Sequence, residues 1–440
     1  MLRRLSTLLM LATLAGPAAA EKPSLLLISV DTLRADALSS YGYPHPISPT
    51  LDALAAQGVL FEDAQTVIGK TGPAFATVFS SLYPPTHGAR RNGVRMREDV
   101  PVLAELLSAE GYATAAFISN WTLRTNLAAV HRGFDVFDET FDRKRYGVTG
   151  AERSAEAIVK ASLAWIAEQR ATEPDQPVFL WVHFSEPHNP YVLHEEFAPP
   201  KPPESERTEG WQKRWRYASE VGFTDHWIAK FLEDLEPHLS SNGRLNVFLS
   251  DHGESLGEHG YWGHGKNTHW ANLRVPLFFW GDGVPRGQRL ASPASLVDVA
   301  PTLLELLSLE APESFTGRSL KGAWTGDFDE ARHRYSFGDR HTAIRVKSRS
   351  TFKNPLEIAL ETSGTKVIFS FEKRQARFYD IAGDPSENRP LQESPVEARP
   401  PLARQLANWY RGLEKFESRS GVLSDEDREK LEALGYIGAP

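Results

Sequence analysis

Ser24-Leu25-Leu26-Leu27-Ile28-Ser29-Val30-Asp31 is the stretch that decides the fold. A nearly unbroken apolar run that stops on a carboxylate is the pattern of a strand buried on both faces, as in a parallel sheet. Runs of the same texture recur at Ala113 to Ser119, Val178 to Phe184, Leu245 to Ser250 and Val275 to Trp280. Between them the apolar spacing becomes helical, over Pro49 to Ala56, Val102 to Ala109, Ser154 to Glu168, Tyr217 to Leu235 and Ser295 to Leu307. Strands alternating with helices predict an α/β fold: a central, mostly parallel sheet flanked by helices. Sites in such sheets gather at the carboxyl ends of the strands, and Asp31 and Asp251 stand at two of those ends.

Working outward, the first twenty residues run from Met1-Leu2-Arg3-Arg4 through an apolar stretch to Pro17-Ala18-Ala19-Ala20. This is the order of a secretory signal peptide cleaved after Ala20, so the protein is expected to be exported, periplasmic or secreted. A membrane anchor is the competing reading, but the apolar stretch is short for a span of about 20 residues. No transmembrane segment is expected in the mature chain. Its roughly 420 residues suggest two or three units. We divide them into a catalytic domain over 21–325, a small-sheet subdomain over 326–390 and a helical tail over 391–440. The later boundaries rest on a change of texture after Gly326. Short alternating stretches appear at Thr342 to Lys347, Lys366 to Phe371 and Ala376 to Ile381, followed by a charged helical pattern from Glu397 to Leu434. The proline-rich segment Lys201 to Arg207 reads as an exposed loop before a helix.

Composition removes several function classes. Lys+Arg 49 against Asp+Glu 57 gives a net charge of −8, which argues against a nucleic-acid partner, since phosphate-backbone binding needs a basic face. Cysteine is absent, which excludes disulfides, cysteine nucleophiles and a cysteine-linked lipid anchor.

Three segments carry candidate chemistry. In Ser250-Asp251-His252-Gly253-Glu254, a carboxylate and an imidazole at a strand end can converge on one divalent cation, with glycine permitting the sharp exit. In Val30-Asp31-Thr32, a carboxylate terminates the first strand, although a helix cap is an equally ordinary use for Asp31. In Gly69-Lys70-Thr71-Gly72-Pro73, the proline suits the first turn of a helix and places the Thr71 hydroxyl at that helix's positive end. The dipole contributes only about 0.3 to 1 kcal/mol there, so a metal must do most of any activation. Taken alone, Thr71 also reads as a plain N-cap.

Together and in this order, the segments resemble the sulfatase family of the alkaline phosphatase superfamily. The resemblance runs through Asp31 to Asp36, Leu82-Tyr83-Pro84 with His87-Gly88, and Glu186-Pro187-His188-Asn189-Pro190. It continues in Asp251-His252-Gly253-Glu254, His264-Gly265 and Arg274-Val275-Pro276-Leu277. It extends to Asp298-Val299-Ala300-Pro301-Thr302 and closes in Asp384-Pro385-Ser386-Glu387-Asn388.

Departures from the pattern bear on mechanism. Sulfatases of the best-known type carry Cys or Ser, then Pro two residues on and Arg two beyond that, and convert the first residue to formylglycine. Here those positions are Thr71, Pro73 and Phe75. The family's Lys and His after Gly-Tyr are also missing, since Gly111-Tyr112 leads to Phe117-Ile118-Ser119-Asn120. Thr71 with Asp251-His252 looks instead like the threonine-nucleophile branches: phosphodiesterases, phosphoethanolamine transferases and lipoteichoic acid synthases.

The resemblance then implies metal ligands at Asp31, Thr71, Asp251 and His252, and one or two divalent ions drawn from manganese, zinc, calcium and magnesium. It implies catalytic roles for His188 and His264, as histidines that contact the anionic group or hold a second metal, and substrate contacts at Asn120 and Lys266. His259, Glu254 and His269 are weaker candidates for groups supporting the ligands. The expected partner is an anionic ester: a sulfated or phosphorylated glycan, lipid or small molecule. The competing functions are a phosphoethanolamine-type transferase and a non-catalytic sulfatase-like protein that binds anionic glycans.

Overall fold

The computed structural model of the protein describes residues 22–145, 148–238, 242–329, 331–339, 354–391, 400–416 and 429–430. The expected leader over residues 1–20 and the expected strand Thr342 to Lys347 lie outside the described residues, as does part of the expected tail helix.

Eight strands form the main sheet: β1 (Ser24–Val30), β2 (Val59–Phe61), β3 (Ala113–Ile118), β4 (Val136–Asp138), β5 (Val178–Phe184), β6 (Arg244–Ser250), β7 (Leu277–Gly281) and β8 (Gln288–Leu290). Their order is β8-β2-β7-β6-β1-β5-β3-β4, and β7 alone runs against the rest. The opening stretch is therefore the central strand, paired in parallel with β5 on one side and β6 on the other. Being covered on both faces, it needs no polar alternation.

Successive side chains of β1 point to opposite layers. Leu25 and Leu27 join a core with Phe75 and Phe79 of α2 (Thr71–Ser80), Leu103 and Leu107 of α3 (Leu103–Ala109), and Leu303 of α6 (Val299–Leu306). Leu26, Ile28 and Val30 face the other way, onto Leu51 of α1 (Pro49–Ala56), Ile158 of α4 (Ala155–Thr172), and Val221 and Phe231 of α5 (Trp211–Leu235). At about 1.5–3 kcal/mol per fully buried large apolar side chain, these two cores hold the sheet between its helices.

A second, antiparallel sheet follows: β9 (Arg334–Gly338), β10 (Glu357–Thr362), β11 (Thr365–Ser370) and β12 (Gln375–Asp380). Its apolar face, with Ile358, Leu360 and Val367, packs with Leu406 and Tyr410 of α7 (Pro400–Gly412) and with Val67, Ile68 and Tyr83 of the larger unit. A buried chain of charges reinforces the junction. Lys366 bonds Glu387 at 2.6 Å and lies 3.5 Å from Glu361, Arg334 bonds Glu361 at 2.6 Å and Asp63 at 2.7 Å, and Glu387 meets His269 at 2.6 Å. Glu387, from the closing motif of the sequence, is thus tied to the loop that leads back to the site. No helix among the described residues is long and apolar enough to cross a membrane.

Candidate active site

The sheet brings its functional groups to the carboxyl edge of β1 and β6. Asp31 leaves β1 with its N–H donated to the Phe184 carbonyl at 2.9 Å. The next residue, Thr32, takes a left-handed φ of 54°, an uncommon conformation for a β-branched residue. The turn is held across the sheet: Thr32 N–H donates to Asp251 Oδ1 at 3.2 Å and Leu33 N–H to Ser250 Oγ at 2.9 Å. The exit from β6 is equally constrained. A Cβ on Gly253 would come within 2.1 Å of the Ala271 carbonyl oxygen, so only glycine fits after Asp251-His252.

Thr71 is the first residue of α2, preceded by Lys70 in extended conformation. Its hydroxyl lies 3.4 Å from His252 Nε2. That nitrogen is also 3.4 Å from Asp251 Oδ2 and 3.8 Å from Asp31 Oδ1. Ligand atoms of Asp31, Asp251 and His252 all lie within 4.8 Å of one another, and all three side chains are fully buried. The four residues expected from the sequence to gather around one point therefore do so.

The donor set suits a cation. His252 Nδ1 is 2.9 Å from the Gly253 carbonyl, which can only accept, so in the neutral ring the proton is on Nδ1 and the Nε2 lone pair points into the cluster. Asp251 Oδ1 receives the N–H groups of Thr32 and His252, while Oδ2 takes no hydrogen bond among the described residues. Burial, and then the charge of Asp31, push the Asp251 carboxyl well above the ordinary carboxylate range, and burial pushes His252 down. Two adjacent buried carboxyls and an inward lone pair repel one another unless positive charge stands between them.

The other expected residues divide. His188 and His264 join the cluster: the His264 ring stacks on His252 with centroids 4.4 Å apart, and His264 Nε2 is 3.3 Å from His188 Nε2. Asn120 is present too, but both ends of its amide are engaged. Nδ2 donates to Asp31 Oδ2, and Oδ1 accepts from Thr122 N and Oγ1 at 2.9 and 2.8 Å. Its visible task is to hold Asp31 in place. Lys266 is exposed, with its ammonium 5.9 Å from the Tyr261 ring, and stands at the rim. His269 is drawn to Glu387 and stacks with His259 at 3.8 Å, so these two serve the junction with the small sheet.

Two residues at the site were not singled out from sequence. Asn92, only 7% exposed, accepts the Gly72 N–H at 2.9 Å through Oδ1, while its Nδ2 has no hydrogen-bond acceptor among the described residues. A buried amide N–H2 is thereby left beside the N-terminus of α2. In sequence it lies in Arg90-Arg91-Asn92-Gly93, which reads as nothing more than a turn. Lys70 is fully buried and adjoins Thr71; burial pushes its ammonium down to about 7 although Asp339 attracts it. A lysine at the start of a buried helix is the signal that was there to be read.

With this geometry in place, likeness to known proteins becomes informative. Residues 23–309 match the family model described as Sulfatase. The chain belongs to the sulfatase family. Among its relatives is a sulfatase of Formosa agariphila, 24% identical over 434 residues, spanning 83% of this chain and 82% of that protein. A choline-sulfatase of Rhizobium meliloti is 26% identical over 357 residues, covering 66% and 69%. The fold is shared with the phosphonate monoester hydrolase of Agrobacterium radiobacter, with a TM-score of 0.68 and 20% identity over 89% of this chain and 94% of that one. It is shared as well with a protein solved in complex with its substrate D-glucosamine-2-N,6-O-disulfate, at a TM-score of 0.71 and 17% identity, covering 89% and 98%. As a sulfatase-family member, the chain is an ester hydrolase of the alkaline phosphatase superfamily.

Proposed function

We propose that this sulfatase-family enzyme cleaves an anionic ester, a sulfate before a phosphate, by attack of the Thr71 hydroxyl. The observation that carries the reading is the convergence of Thr71 with Asp31, Asp251 and His252 at the N-terminus of α2. Asp31, Asp251 and His252 would hold a divalent cation. The imidazole favours manganese or zinc over calcium or magnesium. When bound, such an ion supplies the positive charge that makes a threonine oxyanion affordable near neutral pH.

The chain's own groups do the rest. His252 Nε2 faces the Thr71 hydroxyl, so the lone pair that would hold the ion lies beside the attacking oxygen, whose proton passes to water. Asn92 Nδ2, oriented by the bond between its Oδ1 and the Gly72 N–H, is the N–H donor offered to the oxygen on which charge gathers. The oxygen of Thr71 bonds to sulfur or phosphorus as the ester bond breaks, and the leaving alkoxide takes a proton from the His188–His264 pair. Water then cleaves the sulfo- or phospho-threonine, restoring the hydroxyl.

Sulfate is preferred because the relatives are named sulfatase, arylsulfatase and choline-sulfatase. The absence of cysteine, with Thr71 at the nucleophile position, favours direct attack by threonine. A second reading, transfer to an acceptor alcohol in place of water, draws support from a Haloferax volcanii relative named as a sulfotransferase of glycan biosynthesis. The stretch from Met1 to Ala20 supports export as the setting.

The test is a parallel screen of aryl sulfates, phosphate mono- and diesters and phosphonates with each metal, on wild type and Thr71→Ala. Turnover that vanishes in the variant while bound metal is retained supports the assignment. Undiminished activity in the variant rejects the nucleophile.

A further inference from the structure

The short hairpin between His252 and His264, both residues of the cluster, carries an exposed aromatic ring. Leu256 pairs with Trp262 across the hairpin, and Trp262 is 36% exposed, one of only three large hydrophobic side chains so exposed among the described residues. The ring is fixed in place. A Cβ at Gly210 would come within 2.3 Å of its Cζ2 and one at Gly257 within 3.1 Å, so two glycine backbones press against the indole edge. Arg214, from the first turn of α5, binds the Leu256 carbonyl at 3.0 Å and the Glu209 carbonyl at 2.6 Å, clamping the hairpin to the helix. The Lys213 ammonium, on an exposed side chain, stands over the indole 4.8 Å from its centroid, and the Arg214 guanidinium lies 5.8 Å from the same centroid. Two residues along the chain from Trp262 is His264, and the Tyr261 hydroxyl donates to the His264 carbonyl at 2.7 Å.

We propose that Trp262 and Lys213 form the subsite for a sugar ring that carries the scissile ester, making an anionic saccharide the substrate class. The proposal rests on the reading that ester cleavage occurs at Thr71. A pyranose presents a flat C–H face ringed by hydroxyls, and a rigid, half-exposed indole beside a cation complements both. A lipid chain would require a continuous apolar groove, whereas the exposed large hydrophobics among the described residues are only Val136, Val192 and Trp262. Lys213 then pairs with a further sulfate, phosphate or carboxylate on the same saccharide. Because glycines and Arg214 already hold the ring, little side-chain freedom is lost on binding.

The experiment compares glucosamine 6-sulfate and glucosamine 6-phosphate with ethyl sulfate and ethyl phosphate, which keep the anion and lack the ring. Metal-loaded wild type, Trp262→Ala, Trp262→Phe and Lys213→Ala are assayed on all four. Trp262→Ala should raise KM for the sugar esters about tenfold, with kcat little changed, and leave the ethyl esters unaffected, while Trp262→Phe recovers most of the loss. Equal losses on sugar and ethyl esters would make Trp262 a structural residue and overturn the proposal, as would no loss on either. Saturation-transfer NMR of glucosamine 6-sulfate on Thr71→Ala separates the two readings. Binding that disappears with Trp262→Ala upholds the subsite even if no ester is turned over, and binding that ignores Trp262 overturns it.

Discussion

The Nε2 atoms of His188 and His264 face one another at 3.3 Å, while a backbone carbonyl holds Nδ1 of each ring, Asn189 O at 2.7 Å and Gly69 O at 2.9 Å. A carbonyl only accepts, so both rings carry a proton on Nδ1, and in their neutral forms both lone pairs meet at Nε2. The contact is favourable only when a proton lies between the two nitrogens, and that proton is well placed to pass to a departing alkoxide. His264→Ala should therefore lower kcat by about 10² to 10⁴ on alkyl esters, whose leaving groups need protonation. Little should be lost on 4-nitrophenyl esters, whose leaving group departs as a stable anion. Equal losses on both substrate classes would refute the acid assignment.

Asp31 and Asp251 set up a second test because they are costly together without a cation. Asp251→Asn removes one of the two buried carboxyls, so the chelator-treated variant should melt higher than chelator-treated wild type. Adding manganese or zinc should raise the melting temperature of wild type, by roughly 2.7 kcal/mol of stabilisation at a hundredfold excess over Kd, and should leave the variant unmoved. Differential scanning calorimetry with and without metal reads both effects. A variant that still responds to metal would show that the ion is held elsewhere.

Asn92 offers a third. Its Oδ1 is committed to Gly72 N–H, which fixes where Nδ2 points. Loss of one such donor to a developing oxyanion costs about 10² to 10³ in kcat in comparable settings. Asn92→Asp keeps the Gly72 bond and replaces the N–H donor with a second acceptor, so it should lose at least as much as Asn92→Ala. If Asn92→Asp behaves like wild type, the residue is only a cap for α2.

How much of this could be read from the chain depends on which force fixed each feature. β1 and β5 begin and end where the sequence placed them, because a strand buried on both faces has no alternation to blur its limits. α5 starts at Trp211 instead of Tyr217, since its first turns, with Gln212, Lys213 and Arg216 exposed, carry no apolar period. The three-residue strands β2, β4 and β8 are too short to show a period and owe their pairing to neighbours. At the site, Asp31, Thr71, Asp251 and His252 were legible because strand ends and a helix start concentrate them. Asn92 was not, because its task arises only when a turn twenty residues further on folds back against Gly72. Asn120, expected from the resemblance to contact substrate, meets Asp31 through its amide, a contact that no local pattern encodes.

His87 supplies the last prediction, which concerns stability. The ring is fully buried beneath α2, and its Nδ1 accepts the Ala89 N–H at 3.1 Å, so the proton is on Nε2, 3.1 Å from Thr77 Oγ1. A second proton would set Nδ1–H against the Ala89 N–H, and burial holds the pKa down at about 3. In the unfolded chain the group titrates near its ordinary value of about 6.5. Between those values the unfolded state binds a proton that the folded state refuses. The stability present above pH about 6.5 is therefore lost as pH falls towards about 3, at up to about 1.4 kcal/mol per pH unit from this group alone. His183, buried and likewise pushed down to about 3, adds a slope of the same sign. Urea unfolding midpoints at pH 7.5 and pH 5 should separate clearly for wild type and less for His87→Gln, whose amide can keep both hydrogen bonds and has no proton to gain. A variant as acid-sensitive as wild type would mean that His87 is not among the groups that set this acid limit.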